Sequence, residues 1–175
     1  MSVIRGIVKF VHRYMKMHLV ALLFCVGNCG ANAEQIIGKV IGVSDGDTIT
    51  VLDDSNTQFK IRLSGIDAPE KSQPFGNVSK RHLSDLCYAK KAIVDWRKLD
   101  KYKRVIGKVY CDGKDSGLEQ VRGGLAWWYQ KYAKDQLPED RILYRDAELM
   151  ASGNQIGLWR SPDRVAPWDW RHGQR

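Results

Sequence analysis

Within the run Arg62-Leu63-Ser64-Gly65-Ile66-Asp67-Ala68-Pro69-Glu70 the chain carries one guanidinium, two carboxylates and a proline. Upstream lies a second acidic turn, Asp45-Gly46-Asp47-Thr48, and downstream the segment Asp100-Lys101-Tyr102-Lys103-Arg104. Carboxylates suit a hard cation, a further carboxylate suits a water, and two guanidiniums suit a phosphate, which together are the parts of metal-assisted phosphodiester hydrolysis. Each piece also has an ordinary reading. Asp45-Gly46-Asp47 is a common hairpin turn, Asp67 and Glu70 make a plausible capping turn, and Arg62 alone reads as a surface arginine. Pro69 tips the balance locally, because it fixes its own φ and biases Ala68 to an extended conformation, so that the two carboxylates sit in a stiff turn.

The elements that must position these residues follow from periodicity. Gln35 to Val43 is apolar and β-branched, Thr48 to Leu52 alternates, and Phe59, Ile61 and Leu63 alternate with Lys60, Arg62 and Ser64, so three strands are expected with Arg62 on a polar face. Val78 to Lys91 has helical spacing. Ala92 to Trp96 and Val105 to Cys111 read as two more strands, joined by a charged hairpin from Arg97 to Arg104. From Leu118 the period becomes helical, with Leu118, Val121 and Leu125 on one stripe. Pro138 opens a third helix whose apolar face is expected to carry Ile142, Leu143, Ala147 and Met150. Trp159 to Arg175 is an aromatic tail, with its rings expected to pack on the domain. Strands first and helices later indicate an α+β fold in one domain.

Residues 1–33 differ in composition from the rest. Arg5, Lys9, Arg13 and Lys16 precede an apolar stretch from Leu19 to Val26, and Ala31-Asn32-Ala33 supplies a small-x-small site. That order is expected of a secretory signal, and the apolar stretch is shorter than the roughly 20 residues of a spanning helix. An uncleaved anchor is the alternative. The expectation is therefore an exported protein, periplasmic or secreted, without stable membrane association after cleavage, with residues 34–175 as the mature domain. Removing the four bases lowers the formal charge from +8 to +4, which permits a polyanionic partner without identifying one. Cys25 and Cys29 leave with the signal, so Cys87 and Cys111 remain in an oxidising compartment, where a disulfide is the expectation and two buried thiols the alternative. The cysteines and histidines show no zinc-ligand spacing.

Asp-Gly-Asp-Thr at 45–48, an arginine strand leading into Gly65-Ile66-Asp67-Ala68-Pro69-Glu70, and Asp100-Lys101-Tyr102-Lys103-Arg104 occur in order, and on these the chain resembles the staphylococcal nuclease family from Ile37 to about Trp170. The resemblance implies an OB-type five-stranded β-barrel with three helices, a Ca²⁺ ion, and hydrolysis of DNA and RNA to products carrying 3′ phosphates. It further implies that Asp47 and Asp67 are calcium ligands together with the Ala68 carbonyl, that Glu70 activates the water, and that Arg62 and Arg104 bind the phosphate. Lys101 and Tyr102 match positions that contact a second phosphate, and Tyr132 matches a position near the substrate. Three positions depart from the family pattern. Lys103 replaces a glycine, with a cost of about 1 kcal/mol if positive φ is needed there. Gly117 replaces an asparagine that would cap the second helix, and Gln130 stands where a companion tyrosine is usual.

The reading is thus a calcium-dependent endonuclease acting as a monomer, preferentially on single-stranded nucleic acid. The rival is a noncatalytic OB-fold module that binds nucleic acid. A third possibility is a structural module that uses calcium for stability alone.

Overall fold

Alternating burial in the early strands is what closes the sheet. In a computed structural model, which describes residues 34–173, β1 spans Glu34–Val43, β2 Thr48–Asp53 and β3 Gln58–Leu63, with Ile49, Val51, Ile61 and Leu63 pointing into the core. The strands β5 (Lys91–Leu99) and β6 (Val105–Cys111) follow a short β4 (Ile66–Asp67) and the helix α1 (Gly76–Cys87). β1 pairs antiparallel with both β2 and β5, β5 with β6, and β3 runs parallel to β6 with Arg62 opposite Ile106. The order β3-β2-β1-β5-β6 therefore closes on itself as a five-stranded barrel. One extra residue at Ile41 and another at Arg97 break the register, and such bulges bend a strand enough to turn a barrel corner.

Helices cover one side of the barrel. After β7 (Lys114–Asp115) come α2 (Ser116–Arg122), the two-residue strand β8 (Trp127–Trp128), a 3₁₀ turn over Gln130–Asp135, and α3 (Pro138–Gly153). A second 3₁₀ turn, Gly157–Arg160, and a single-turn helix α4 (Pro167–Trp170) complete the tail. The α+β, OB-type five-stranded barrel with three main helices is thus the architecture observed. The expected signal segment, with Cys25 and Cys29, lies outside the described residues. Cys87 and Cys111 form a disulfide with Cα atoms 5.3 Å apart, tying the end of α1 to the end of β6.

Four local expectations need correction. The first helix ends at Cys87 and not at Lys91, because β1 captures the chain there: Ala89 N donates to Val40 O and Val40 N to Lys90 O. The charged hairpin is narrower than Arg97 to Arg104, since β5 continues to Leu99. The second helix has its cap after all, two positions before Gly117, where the Asp115 side chain accepts from Leu118 N. Gly117 lies within that helix, and a Cβ there would stand 2.8 Å from Tyr144 Oη. Leu125 lies beyond its end.

The largest correction concerns α3. Its buried stripe is Asp140, Tyr144, Ala147 and Ala151, whereas Ile142 is 51 % and Met150 68 % exposed, and Leu143 is exposed too. Polar groups decide this face. Tyr144 Oη donates to Asp115 Oδ1 at 2.8 Å, and Lys108 Nζ on β6 meets Asp140 Oδ1 at 2.6 Å. Ala147 and Ala151 then allow close approach to the layer beneath.

Candidate active site

Backbone pairing brings the two acidic turns to one end of the barrel. Thr48 on β2 sits opposite Arg62 on β3, and Leu63 N donates to Asp47 O at 2.8 Å, so Asp47 and Arg62 are neighbours by register. Asp67 is fixed from the other side, where β4 pairs with β8 and places Asp67 opposite Trp127. The Asp45-Gly46-Asp47 turn needs glycine at its centre. A Cβ on Gly46 would stand 2.7 Å from Ala68 Cβ and closer still to Ser79 Oγ of α1. Gln120, buried on α2, holds that turn by donating through Nε2 to Gly46 O at 2.6 Å and to Ser79 O at 3.0 Å, with His82 Nδ1 on its Oε1.

The side chains converge as follows. Arg62, 15 % exposed, extends Nη1 to Asp47 Oδ2 at 2.6 Å and Nη2 to Asp67 Oδ1 at 2.9 Å. Asp47 Oδ2 also accepts from Ala68 N at 2.9 Å, and Asp47 Oδ1 from Thr48 Oγ1 at 3.0 Å. Glu70, at the mouth of the same turn, is held through its backbone N–H by Gln73 Oε1 at 3.0 Å. Asp47, Asp67, Ala68, Glu70 and Arg62 are therefore one constellation. Its electrostatics are those of a buried charge cluster. Burial, then the charge of Asp47, pushes the Asp45 carboxyl up to about 6. Burial also holds Asp67 above its usual range against the pull of Arg171 and Arg62. For Arg62 burial acts downward, but the charges of Asp47, Asp67 and Asp45 outweigh it and raise the guanidinium.

Arg104, Lys101 and Tyr102 form a second cluster at the tip of the β5–β6 hairpin. Arg104 gives Nε to Asp100 Oδ2 at 2.7 Å and its backbone N to Asp100 Oδ1 at 2.9 Å. The exposed Tyr102 ring carries Lys101 Nζ at 4.9 Å and the Arg104 guanidinium at 5.6 Å from its centroid. Lys103 has φ 60°, the conformation for which a glycine is the natural choice, so the lysine there bears the strain its position implied. The parallel β3–β6 pairing places Arg104 one residue before Val105, whose partner is Ile61, and so links this cluster to the strand of Arg62. Tyr132 is half exposed, 5.0 Å and edge-on from Tyr129, and Tyr129 is raised by burial and then by the charge of Asp67. The aromatic pair therefore borders the carboxylates.

Sequence reasoning missed one participant. Arg171, just past α4, directs Nη2 to Asp67 Oδ2 at 2.7 Å and Nη1 to Glu70 Oε1 at 2.6 Å. Nothing local marks it, since it lies 104 residues beyond Asp67 in a tail rich in arginine and tryptophan. The tail is anchored: Gln73 Nε2 donates to Val165 O at 2.6 Å, and Trp168 stacks on Tyr129 at 5.2 Å and meets Trp127 edge-on at 6.4 Å.

As a cation site the donor set is all oxygen. Among the described residues no group of three or more His, Cys, Asp and Glu side chains is arranged to hold a metal, and the carboxylates that converge on Arg62 are those of Asp47 and Asp67. Two buried carboxylates, held apart from water by Arg62 and Arg171, are the kind of oxygen donors that a hard dication keeping several waters takes.

A family model described as staphylococcal nuclease homologue matches residues 60–161. The chain is 36 % identical over 165 residues to an uncharacterized endonuclease of Haemophilus influenzae, covering 94 % of this chain and 89 % of that one. It is 41 % identical over 139 residues to an uncharacterized endonuclease of Escherichia coli, covering 79 % and 86 %. With a micrococcal nuclease of Shigella flexneri it shares 35 % over 147 residues, covering 79 % and 82 %.

Proposed function

The chain belongs to the staphylococcal nuclease family and is a nuclease, and from that premise we propose an exported, calcium-dependent endonuclease that hydrolyses DNA and RNA, preferentially single strands, as a monomer. The observation that carries the chemistry is Arg62 held between Asp47 and Asp67, with Glu70 on the same turn. Export is supported by the basic, apolar and small-residue order of positions 1–33.

Asp47, Asp67 and the Ala68 carbonyl would hold Ca²⁺, with waters completing its shell. When bound, a hard dication there would supply Lewis-acid polarisation of a phosphoryl oxygen and would offset charge in the transition state. Glu70 takes the proton of a water as the water's oxygen bonds to phosphorus, and the bond from phosphorus to the leaving oxygen breaks, that oxygen keeping the electron pair and taking a proton from solvent. Arg62 and Arg104 donate to the nonbridging oxygens, where a planar fork gives bidentate bonds as charge accumulates. Lys101 and Tyr102 contact a neighbouring phosphate, and Tyr132 flanks a base.

The test is cleavage of denatured DNA in Ca²⁺ or chelator by the parent, Glu70→Gln and Arg62→Lys. Activity that needs Ca²⁺ and falls about a hundredfold or more in both variants, with binding retained, is the expected result. Equal activity in chelator, or variants as active as the parent, refutes the assignment. Binding without cleavage by the parent favours the noncatalytic module.

A further inference from the structure

We propose that Arg171 is a built-in counter-cation of the metal-binding carboxylates, and that it sets the affinity of the site because an incoming divalent ion has to displace it from Asp67. The inference rests on the reading of Asp47 and Asp67 as cation ligands.

Arg171 spans two residues with different tasks. Its Nη2 lies 2.7 Å from Asp67 Oδ2, and its Nη1 lies 2.6 Å from Glu70 Oε1 and 3.3 Å from Asp67 Oδ1. Asp67 is 1 % exposed, and both its oxygens are engaged, Oδ1 by Arg62 and Arg171 and Oδ2 by Arg171. A hard cation requires those oxygens turned toward itself and tolerates a guanidinium at the same edge poorly, since both are positive. One of the two arginines must give way. Arg62 belongs to a barrel strand and is enclosed, whereas Arg171 is 41 % exposed and belongs to the tail, so Arg171 is the one able to leave.

The contact is built rather than incidental. Gln73, itself buried, accepts from Glu70 N with one end of its amide and donates to Val165 O with the other, joining the Glu70 turn to the tail through a single side chain. The stack of Trp168 on Tyr129 fixes α4, and Arg171 N bonds Pro167 O at 3.1 Å, which aims its side chain from the end of that turn. Burial acts to lower the Arg171 guanidinium, and the hydrogen bonds to Asp67 and Glu70 more than offset it. Four carboxyls, Asp45, Asp47, Asp67 and Glu70, thus face two guanidiniums. Removing Arg171 leaves them facing one, a net change of one charge 2.7 Å from Asp67 Oδ2.

A charge change that close should alter divalent affinity by about tenfold even with surface-like screening. The experiment is calorimetric titration of the metal-stripped full chain with Ca²⁺, comparing the parent with Arg171→Ala, Arg171→Lys and Arg122→Ala, whose arginine pairs with Glu119 on α2. Arg171→Ala is expected to bind Ca²⁺ about tenfold more tightly, Arg171→Lys to fall between, and Arg122→Ala to match the parent. A second readout is the melting temperature. In chelator Arg171→Ala melts below the parent, and Ca²⁺ raises its Tm by more. Affinity in Arg171→Ala equal to or weaker than the parent's overturns the proposal, since weaker binding means that Arg171 props the carboxylates for the ion. If the parent takes up Ca²⁺ and cleaves DNA while Arg171→Ala binds no more tightly, this inference alone falls. If no protein takes up Ca²⁺, the cation site falls with it.

Discussion

Replacing Arg62 with methionine keeps most of the apolar stem and removes the charge that lies between Asp47 Oδ2 and Asp67 Oδ1. Removing one partner of a buried ion pair costs about 3 to 5 kcal/mol, because the other charge is left without compensation. Here the lower end applies. Arg171 still covers Asp67, and Ala68 N and Thr48 Oγ1 still bond Asp47. A loss of about 3 kcal/mol lowers Tm by roughly 10 °C in a domain of this size. The assay is differential scanning calorimetry at pH 7 in chelator, run as a cycle with Asp67→Asn. Removing Asp67's charge should relieve part of the defect, giving a coupling of about 2 kcal/mol. Saturating Ca²⁺ should then narrow the gap between parent and variant, since a dication on both aspartates replaces the missing positive charge. If Arg62→Met melts within about 2 °C of the parent in chelator, or if the two substitutions add without coupling, the guanidinium does not hold these carboxylates. If Ca²⁺ leaves the gap unchanged, the aspartates are not its ligands.

Gly46→Ala forces a Cβ against Ala68 and Ser79, so it should cost about 1 to 3 kcal/mol in a thermal melt and weaken Ca²⁺ binding by displacing Asp47, whereas full retention of both would mean the turn is not confined by α1. Lys103→Gly should be neutral or stabilise by up to about 1 kcal/mol, while Lys103→Val should lose more than that, because positive φ penalises a β-branched residue most; equal Tm values for the two would contradict the backbone conformation. Asp100 sets a pH dependence. Partial burial raises its carboxyl, but hydrogen bonds from Arg104 and Tyr102 together with the Arg104 charge lower it overall. A carboxyl depressed on folding stabilises the native state above its unfolded pKa and loses that contribution as pH falls through the folded one. Asp100→Asn should therefore be less stable than the parent, by about 1 kcal/mol, at pH 5 to 7. The difference should close as the pH drops below the ordinary carboxylate range, and a gap that persists unchanged at pH 2.5 would refute the assignment.

Local rules sufficed wherever a residue's environment was its own segment. Alternation at Phe59, Ile61 and Leu63 put Arg62 off the core side, and the predominance of strands before Cys111 and of helices after it led to the α+β class. The apolar residues of α3 misled for the opposite reason. Hydropathy favoured Ile142, Leu143 and Met150, but the buried face was chosen by Tyr144 reaching Asp115 and by Lys108 reaching Asp140, contacts between elements that periodicity cannot register. The end of α1 was likewise decided by β1 taking hydrogen bonds at Ala89 and Lys90.

The order and spacing of the motifs determined which groups this chain has available for phosphate and metal chemistry, because residue type and strand period are written residue by residue. Tertiary structure alone decided that Asp47 and Asp67 share Arg62, that Gln120 and Gln73 steady the two acidic turns, and that Arg171 closes over Asp67 and Glu70. Those facts depend on barrel closure and on where the tail docks, and a contact between residues a hundred positions apart leaves no trace in local sequence pattern.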